Sequence, residues 1–136
     1  MFKISPINDK KVQSSYASAC GAVYREAFFA YSMNDAESGE LMGFAQFEID
    51  ENGGFISDLK PRIGYDDFEA MFILGRATMN FIDTCEAHVC YASADTADLR
   101  LLKAIGFKEN SNGNYECNMT GMFDGHCSGH AVKLEQ

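Results

Sequence analysis

Three sets of residues in this chain have types and spacings that could do chemistry. The first is the stretch "KPRIGYDDFEAMF" from Lys60 to Phe72, which reads as a strand end running straight into a helix. A helix N-terminus presents N–H groups that suit a phosphate. Here the helix opens with Asp66, Asp67 and Glu69. Acidic groups in a first turn favour the helix itself by about 0.3–1 kcal/mol each. The stretch therefore reads first as a helix cap satisfied by its own side chains, and second as a phosphate cradle.

The second set is Asp58 and Glu48, which alternation turns toward solvent or a cleft. A carboxylate at a cleft can take a proton from an amine; on an open edge it is a solvated charge, the reading favoured here. Asp58 is the better candidate for chemistry because it lies near the end of its strand. The third set gathers cysteines and histidines. Cys117, His126, Cys127 and His130 offer the two thiolates and two imidazoles of a zinc tetrahedron. Adjacent His126 and Cys127 rarely reach one metal together, and the usual two- to four-residue cysteine spacing is absent, so no metal is expected. His126 beside Cys127 could instead lower the thiol's pKa. His88 and Cys90 face the same way by strand alternation; they read as packing residues before they read as a catalytic pair.

These residues must be positioned by a strand at 2–7, a helix from Lys11, and three antiparallel strands at 27–33, 41–49 and 55–60. Val12, Tyr16, Ala19 and Val23 form the helix's apolar spacing. Leu41, Gly43, Ala45, Phe47 and Ile49 share one face of the middle strand, and "DENGG" (50–54) is a hairpin turn. A long helix from Asp67 to about Cys85 carries Phe68, Met71, Phe72, Gly75, Met79 and Ile82 on one face. Gly75 in mid-helix costs about 1 kcal/mol against alanine, which signals close packing against another backbone. A short strand at 87–93, a short helix at 97–105 stopped by Gly106, and a hairpin around "NSNGN" complete the pattern. The class is α+β, a mixed α/β order.

With 136 residues the chain suits one domain, 1–136, with an irregular tail from about residue 120. The net charge of −9 repels nucleic acid and anionic lipid. No apolar run approaches the roughly 18 residues of a membrane span, and the first residues lack a signal-peptide core, so a cytoplasmic protein is expected. Five cysteines without a C-x-x-C spacing are read as free thiols.

"LLKAIGF" (101–107) resembles the short helix and Gly-Phe step of the GNAT N-acetyltransferase superfamily. "LKP" (59–61) is similar to the apolar-x-Pro that closes the family's fourth strand, and "YECNMTGMFDGHC" (115–127) resembles the tail of short GNAT-like proteins. The element order resembles that family over nearly the whole chain. The resemblance implies a GNAT-like mixed sheet: an antiparallel N-terminal meander, a central long helix and a C-terminal hairpin, with 87–92 parallel to 55–60. It further implies an acyl-CoA-dependent N-acyltransferase using acetyl-CoA on a small-molecule or peptide amine. The pantetheine arm would lie in an open wedge between Ser57–Lys60 and Val89–Ala92. On this resemblance Asp58 and Tyr91 are the catalytic candidates. The cofactor-binding candidates are Leu59, Lys60, Ile63, Gly64, Tyr65, Asp66, Tyr91, Ala92 and Leu102.

The chain departs from the family at three places. The family's Arg/Gln-x-x-Gly-x-Gly/Ala loop is matched, counting from Pro61, by Gly64, Asp67 and Glu69. The early Asn and the late Tyr of the short helix are matched by Asp95 and Leu102, and leucine cannot donate a proton; Tyr91, Tyr115 or a water would have to. Few residues separate the first two strands, so the acceptor side has little wall unless a homodimer supplies one. These departures point to the alternative, a non-catalytic GNAT-like module that binds a partner or another small molecule.

Overall fold

The structure is a computed structural model and describes residues 1–124. Among these residues seven strands form one sheet in the order β1-β2-β3-β4-β5-β7-β6. They are β1 (Phe2–Pro6), β2 (Phe29–Asp35), β3 (Leu41–Asp50), β4 (Gly53–Pro61), β5 (Val89–Ala92), β6 (Lys108–Glu109) and β7 (Tyr115–Asn118). Every neighbouring pair is antiparallel except β4 and β5. The short turn between β3 and β4, where Asp50 faces Gly53, makes the expected hairpin. The parallel step from β4 to β5 is made by α2 (Phe68–Thr84), as a parallel pair requires a crossover. The mixed fold class and the parallel pairing of the fourth and fifth strands agree with the expectation from sequence.

The sheet is covered on both faces at its centre. On one face α2 and α3 (Leu99–Ile105) pack over Phe47, Ile56, Leu59 and Cys90, with Leu74, Met79, Ile82, Leu102 and Ile105 fully buried between. On the other, α1 (Lys10–Ala19) buries Ala17 against Phe44 and Ala30. This explains why β3 is buried continuously from Leu41 to Phe47 rather than on one face alone.

Two expectations are corrected. The apolar stripe read for α1 is not the face it buries: Val12 is 36% and Val23 70% exposed, while Gln13 and Ala17 are inside. The helix is turned by hydrogen bonding, as described below. Gly75 does permit close packing, but against side chains: a Cβ there would lie 2.9 Å from Leu59 Cδ2 and 3.0 Å from Ile105 Cδ1. Glycine in mid-α2 thus lets the helix settle between β4 and α3 at the cost of helix propensity.

Candidate active site

β4 and β5 pair at Gly54–Cys90, Phe55–Tyr91 and Ile56–Ala92, and no further. On its other side β4 carries a bulge. Gln46 of β3 faces Asp58 and Phe47 faces Ile56, so Ser57 is the extra residue. A bulge bends its strand, and here the bend coincides with the parting of β4 from β5. The gap expected from sequence therefore exists, but it begins one step past Ala92 and it is filled. Thr96, in the segment between β5 and α3, is 1% exposed. Its Oγ1 donates to the Ile56 carbonyl at 2.7 Å and accepts from Ser93 N–H at 3.0 Å. Its carbonyl accepts from Leu59 N–H at 2.8 Å. The chain itself thus takes the main-chain donor and acceptor that β4 turns toward the gap. Two residues on, Pro61 has no N–H to offer. In this arrangement a ligand arm cannot add to β4 as a strand would, so the gap as it stands does not fit pantetheine.

Asp58 is corrected from an exposed edge charge to a buried group, 5% exposed. Its Oδ2 accepts from Ser57 Oγ at 2.8 Å and Gln46 Nε2 at 3.0 Å, and its Oδ1 lies 3.4 Å from Lys60 Nζ. Gln46, fully buried, is the hub of this network. Its Oε1 accepts from Gln13 Nε2 and from Arg25 N–H, each at 3.0 Å. Its Nε2 also donates to the Val23 carbonyl at 2.8 Å. A main-chain donor on one side and a main-chain acceptor on the other fix which way the amide points. Gln13 extends the chain of bonds to the Arg25 and Phe28 carbonyls and accepts from Lys10 Nζ. No buried side-chain polar atom among the described residues lacks a partner. This network is what rotates α1. Apolar periodicity could not reveal it; the one available signal was a glutamine inside the otherwise apolar run "LMGFAQF".

Tyr91 stands opposite Phe55 of β4 and Glu116 of β7. Alternation puts its side chain on the face away from buried Cys90, the same face as Asp58. Ala92 and Leu102 lie in the core, 1% and 0% exposed, and present no side-chain surface to a ligand. Tyr115, the other candidate proton donor, is also in the core.

Beyond the gap a cleft of about 390 Å³ runs between the end of β4, the start of α2 and the start of α3. Leu59, Lys60 and Asp66, expected from sequence, line it; so does Asp95, which the resemblance matched to the family's early Asn, while Asp98 and Arg100 line it unforeseen. Asp67, also at the cleft, caps α2, its Oδ1 accepting from Ala70 N–H at 3.0 Å. The first reading of the opening stretch is therefore the observed one. Asp98 caps α3 in the same way, accepting from Arg100 N–H at 2.8 Å. Four aspartates face the cleft against Lys60 and Arg100, and the Arg100 guanidinium stacks 4.2 Å over the Phe68 ring. Ile63, Gly64 and Tyr65 form the turn before α2 and lie outside this lining. Gly64 has φ +89°, a value that favours glycine. Ile63 N–H donates to the Ala19 carbonyl and Arg62 Nε to the Leu41 carbonyl, so this turn ties the sheet to the end of α1. Burial, then the neighbouring Asp67 carboxylate, push the Tyr65 phenol upward.

The structure separates His88 from Cys90. His88 Nδ1 lies 2.6 Å from Asp83 Oδ1 and its ring is exposed, whereas Cys90 is fully buried and its thiol is raised by desolvation. Cys117 is buried too, and among the described residues no three potential metal ligands cluster. His126, Cys127 and His130 lie outside the described residues.

Folds similar to this one are found among solved proteins. The chain is similar to the ribosomal-protein-S18-alanine N-acetyltransferase of Escherichia coli, with a TM-score of 0.63 at 12% identity over 85% of this chain and 89% of that one. It is similar to an IAA acetyltransferase of Bacillus cereus, TM-score 0.65, at 15% identity over 82% and 79% of the two chains. A third similar structure is the PaiA N-acetyltransferase of Thermoplasma acidophilum in complex with coenzyme A, TM-score 0.56, at 13% identity over 80% and 67%. The fold is that of the GNAT acetyltransferases. No protein-family model matches the sequence, and no curated protein matches it. The fold is thus shared with these proteins at only 12–15% sequence identity. Among the described residues no helix is long and apolar enough to cross a membrane.

Proposed function

We propose that this GNAT-fold chain is an acyl-CoA-dependent N-acyltransferase that moves an acetyl or similar acyl group to an amine on a small molecule or peptide. The observation that carries this reading is the GNAT fold itself, with the Asp58 carboxylate at the bulge where β4 and β5 separate; the gap beyond Ile56 and Ala92 serves an acyl-CoA arm only once Thr96 has left it. Asp58 is the proton acceptor in this reading. Its Oδ2 is engaged by Ser57 and Gln46, which leaves Oδ1 toward Lys60 as the atom an incoming amine would meet. The acceptor therefore approaches from the α1 face and takes the place of the Lys60 ammonium. Tyr91 lies on that face and is the candidate proton donor, since Leu102 and Tyr115 are in the core. The free thiols at 20, 85, 90 and 117 suit a reducing cytoplasm.

One observation favours a second reading. Thr96 fills the gap and carboxylates crowd the cleft, as in a GNAT-fold module that binds a partner or another small molecule without catalysis. Titrating the protein with acetyl-CoA by calorimetry, and following thiol release with a panel of primary amines, separates the two. The enzyme reading expects saturable heat and amine-dependent release that falls about 100-fold or more in Asp58→Asn. Neither heat nor release at millimolar acetyl-CoA would leave the module reading.

A further inference from the structure

We propose that the segment from Ser93 to Asp98 is a built-in latch, and that Thr96 must leave the β4–β5 gap before any extended ligand can use it. The inference rests on the acyltransferase reading for its ligand but on hydrogen bonds alone for the device. Thr96 reproduces what a strand-like ligand would offer β4. Its carbonyl takes the Leu59 N–H at 2.8 Å, and its hydroxyl satisfies the Ile56 carbonyl at 2.7 Å. Those two groups flank the bulge and would otherwise be buried polar atoms without partners. The latch therefore solves a problem the parting of the strands creates, and it does so competitively.

The segment is also one that can move. Ser93 to Ala97 belong to neither β5 nor α3, Asp98 being the α3 cap that anchors the segment's end, and the ties within the segment are local. Thr96 N–H reaches the Ser93 carbonyl at 3.1 Å, and Ser93 N–H reaches Thr96 Oγ1 at 3.0 Å. The local turn can thus persist while the two bonds to β4 break. Thr96 is flanked by half-buried Ala97 and exposed Asp95, so its withdrawal drags no large apolar side chain out of the core. It would widen the cleft on whose rim Asp95 and Ala97 already lie. Ligand entry then has two steps, an opening independent of ligand followed by binding, and the apparent affinity is reduced by the open fraction.

The test has two arms on the full chain. In the first, amide hydrogen exchange is followed without ligand for wild type, Thr96→Val and Thr96→Ser. Removing the hydroxyl while keeping the branched shape should speed exchange of the Leu59 amide by about tenfold, the weight of one or so hydrogen bonds, with the amides of α2 unchanged. Thr96→Ser keeps both hydroxyl bonds and should exchange like wild type. In the second, acetyl-CoA is bound to the same proteins in stopped flow. The wild-type rate should level off with concentration, and Thr96→Val should bind about fivefold to tenfold more tightly. Leu59 exchange that occurs only by global unfolding in every variant would overturn the latch, because Thr96 would then be a permanent part of the sheet. So would acetyl-CoA binding that is equally tight in wild type and Thr96→Val. Local opening of Leu59 that Thr96→Val accelerates, with no acetyl-CoA binding in any variant, would support the latch and overturn the acyltransferase reading.

Discussion

Replacing Gln46 by leucine removes the centre of the buried network without changing the side chain's size much. Four hydrogen bonds go with it, to Gln13, Arg25, Val23 and Asp58, at 2.8–3.0 Å. At about 1 kcal/mol net for each bond, the direct loss is about 4 kcal/mol. The Arg25 N–H and the Val23 carbonyl would be left without partners, adding about 1–3 kcal/mol for each that stays dry. The buried leucine returns about 1.5–3 kcal/mol of apolar transfer. With both groups dry the net expectation is a loss of about 3–8 kcal/mol, a large part of the roughly 5–15 kcal/mol that holds a domain together. Urea unfolding of wild type and Gln46→Leu measures it directly. Gln46→Glu sharpens the argument. The oxygen facing Gln13 and Arg25 would be satisfied, while the other would face the Val23 carbonyl and the Asp58 carboxylate. The introduced carboxyl should therefore hold its proton in the folded state, its pKa raised above the unfolded value. Such a group leaves stability intact below its unfolded pKa and takes it away as pH rises through the folded one. Gln46→Glu should thus be close to wild type near pH 4–5 and destabilised near pH 8. A Gln46→Leu protein within about 1 kcal/mol of wild type, or a Gln46→Glu protein indifferent to pH, would refute the assignment of this network as the organiser of α1 and Asp58.

Asp67→Ala should cost about 1 kcal/mol through loss of the α2 cap, and Asp67→Asn much less, because asparagine caps as well as aspartate does. If coenzyme A reaches the start of α2, Asp67→Asn combined with Glu69→Gln should tighten its binding at low salt, with the gain fading as salt rises; calorimetry at two ionic strengths reads both. His88 has its pKa raised chiefly by the hydrogen bond it donates to Asp83. A raised folded-state pKa stabilises below the unfolded value near 6.5 and is lost as pH rises through the folded one. The melting temperature of His88→Gln should therefore fall further below wild type at about pH 5.5 than at about pH 9. In a Cys127→Ser background, a thiol reagent should modify exposed Cys85 in the native protein. Buried Cys20, its thiol pushed up to about 11 by desolvation, should react only on unfolding, with Cys90 and Cys117; mass spectrometry of labelled peptides gives the order.

Much of the fold was legible because its signals are local. The hairpin at 50–54, the apolar period of 68–82, and Gly106, whose φ of +122° stops α3, each act within a few residues, and their order is enough to imply one parallel pair across a helix. The cap at Asp67 was legible for the same reason, since an N-cap bonds within three residues of itself. What tertiary structure alone decided is longer in reach. Gln13 meets Gln46 across 33 positions, and that bond overrides the apolar stripe of α1, turning Val12 outward. Asp58 is buried in the Gln46 network beside the bulge at Ser57, and no period-2 reading contains a bulge. Thr96 reaches back 40 positions to Ile56, into a gap that exists only once β4 has bent away from β5. In "SADTAD" it is one more small polar residue ahead of a helix. It matters because two main-chain groups of β4, unpaired by the parting of the strands, must be satisfied by whatever the fold brings near.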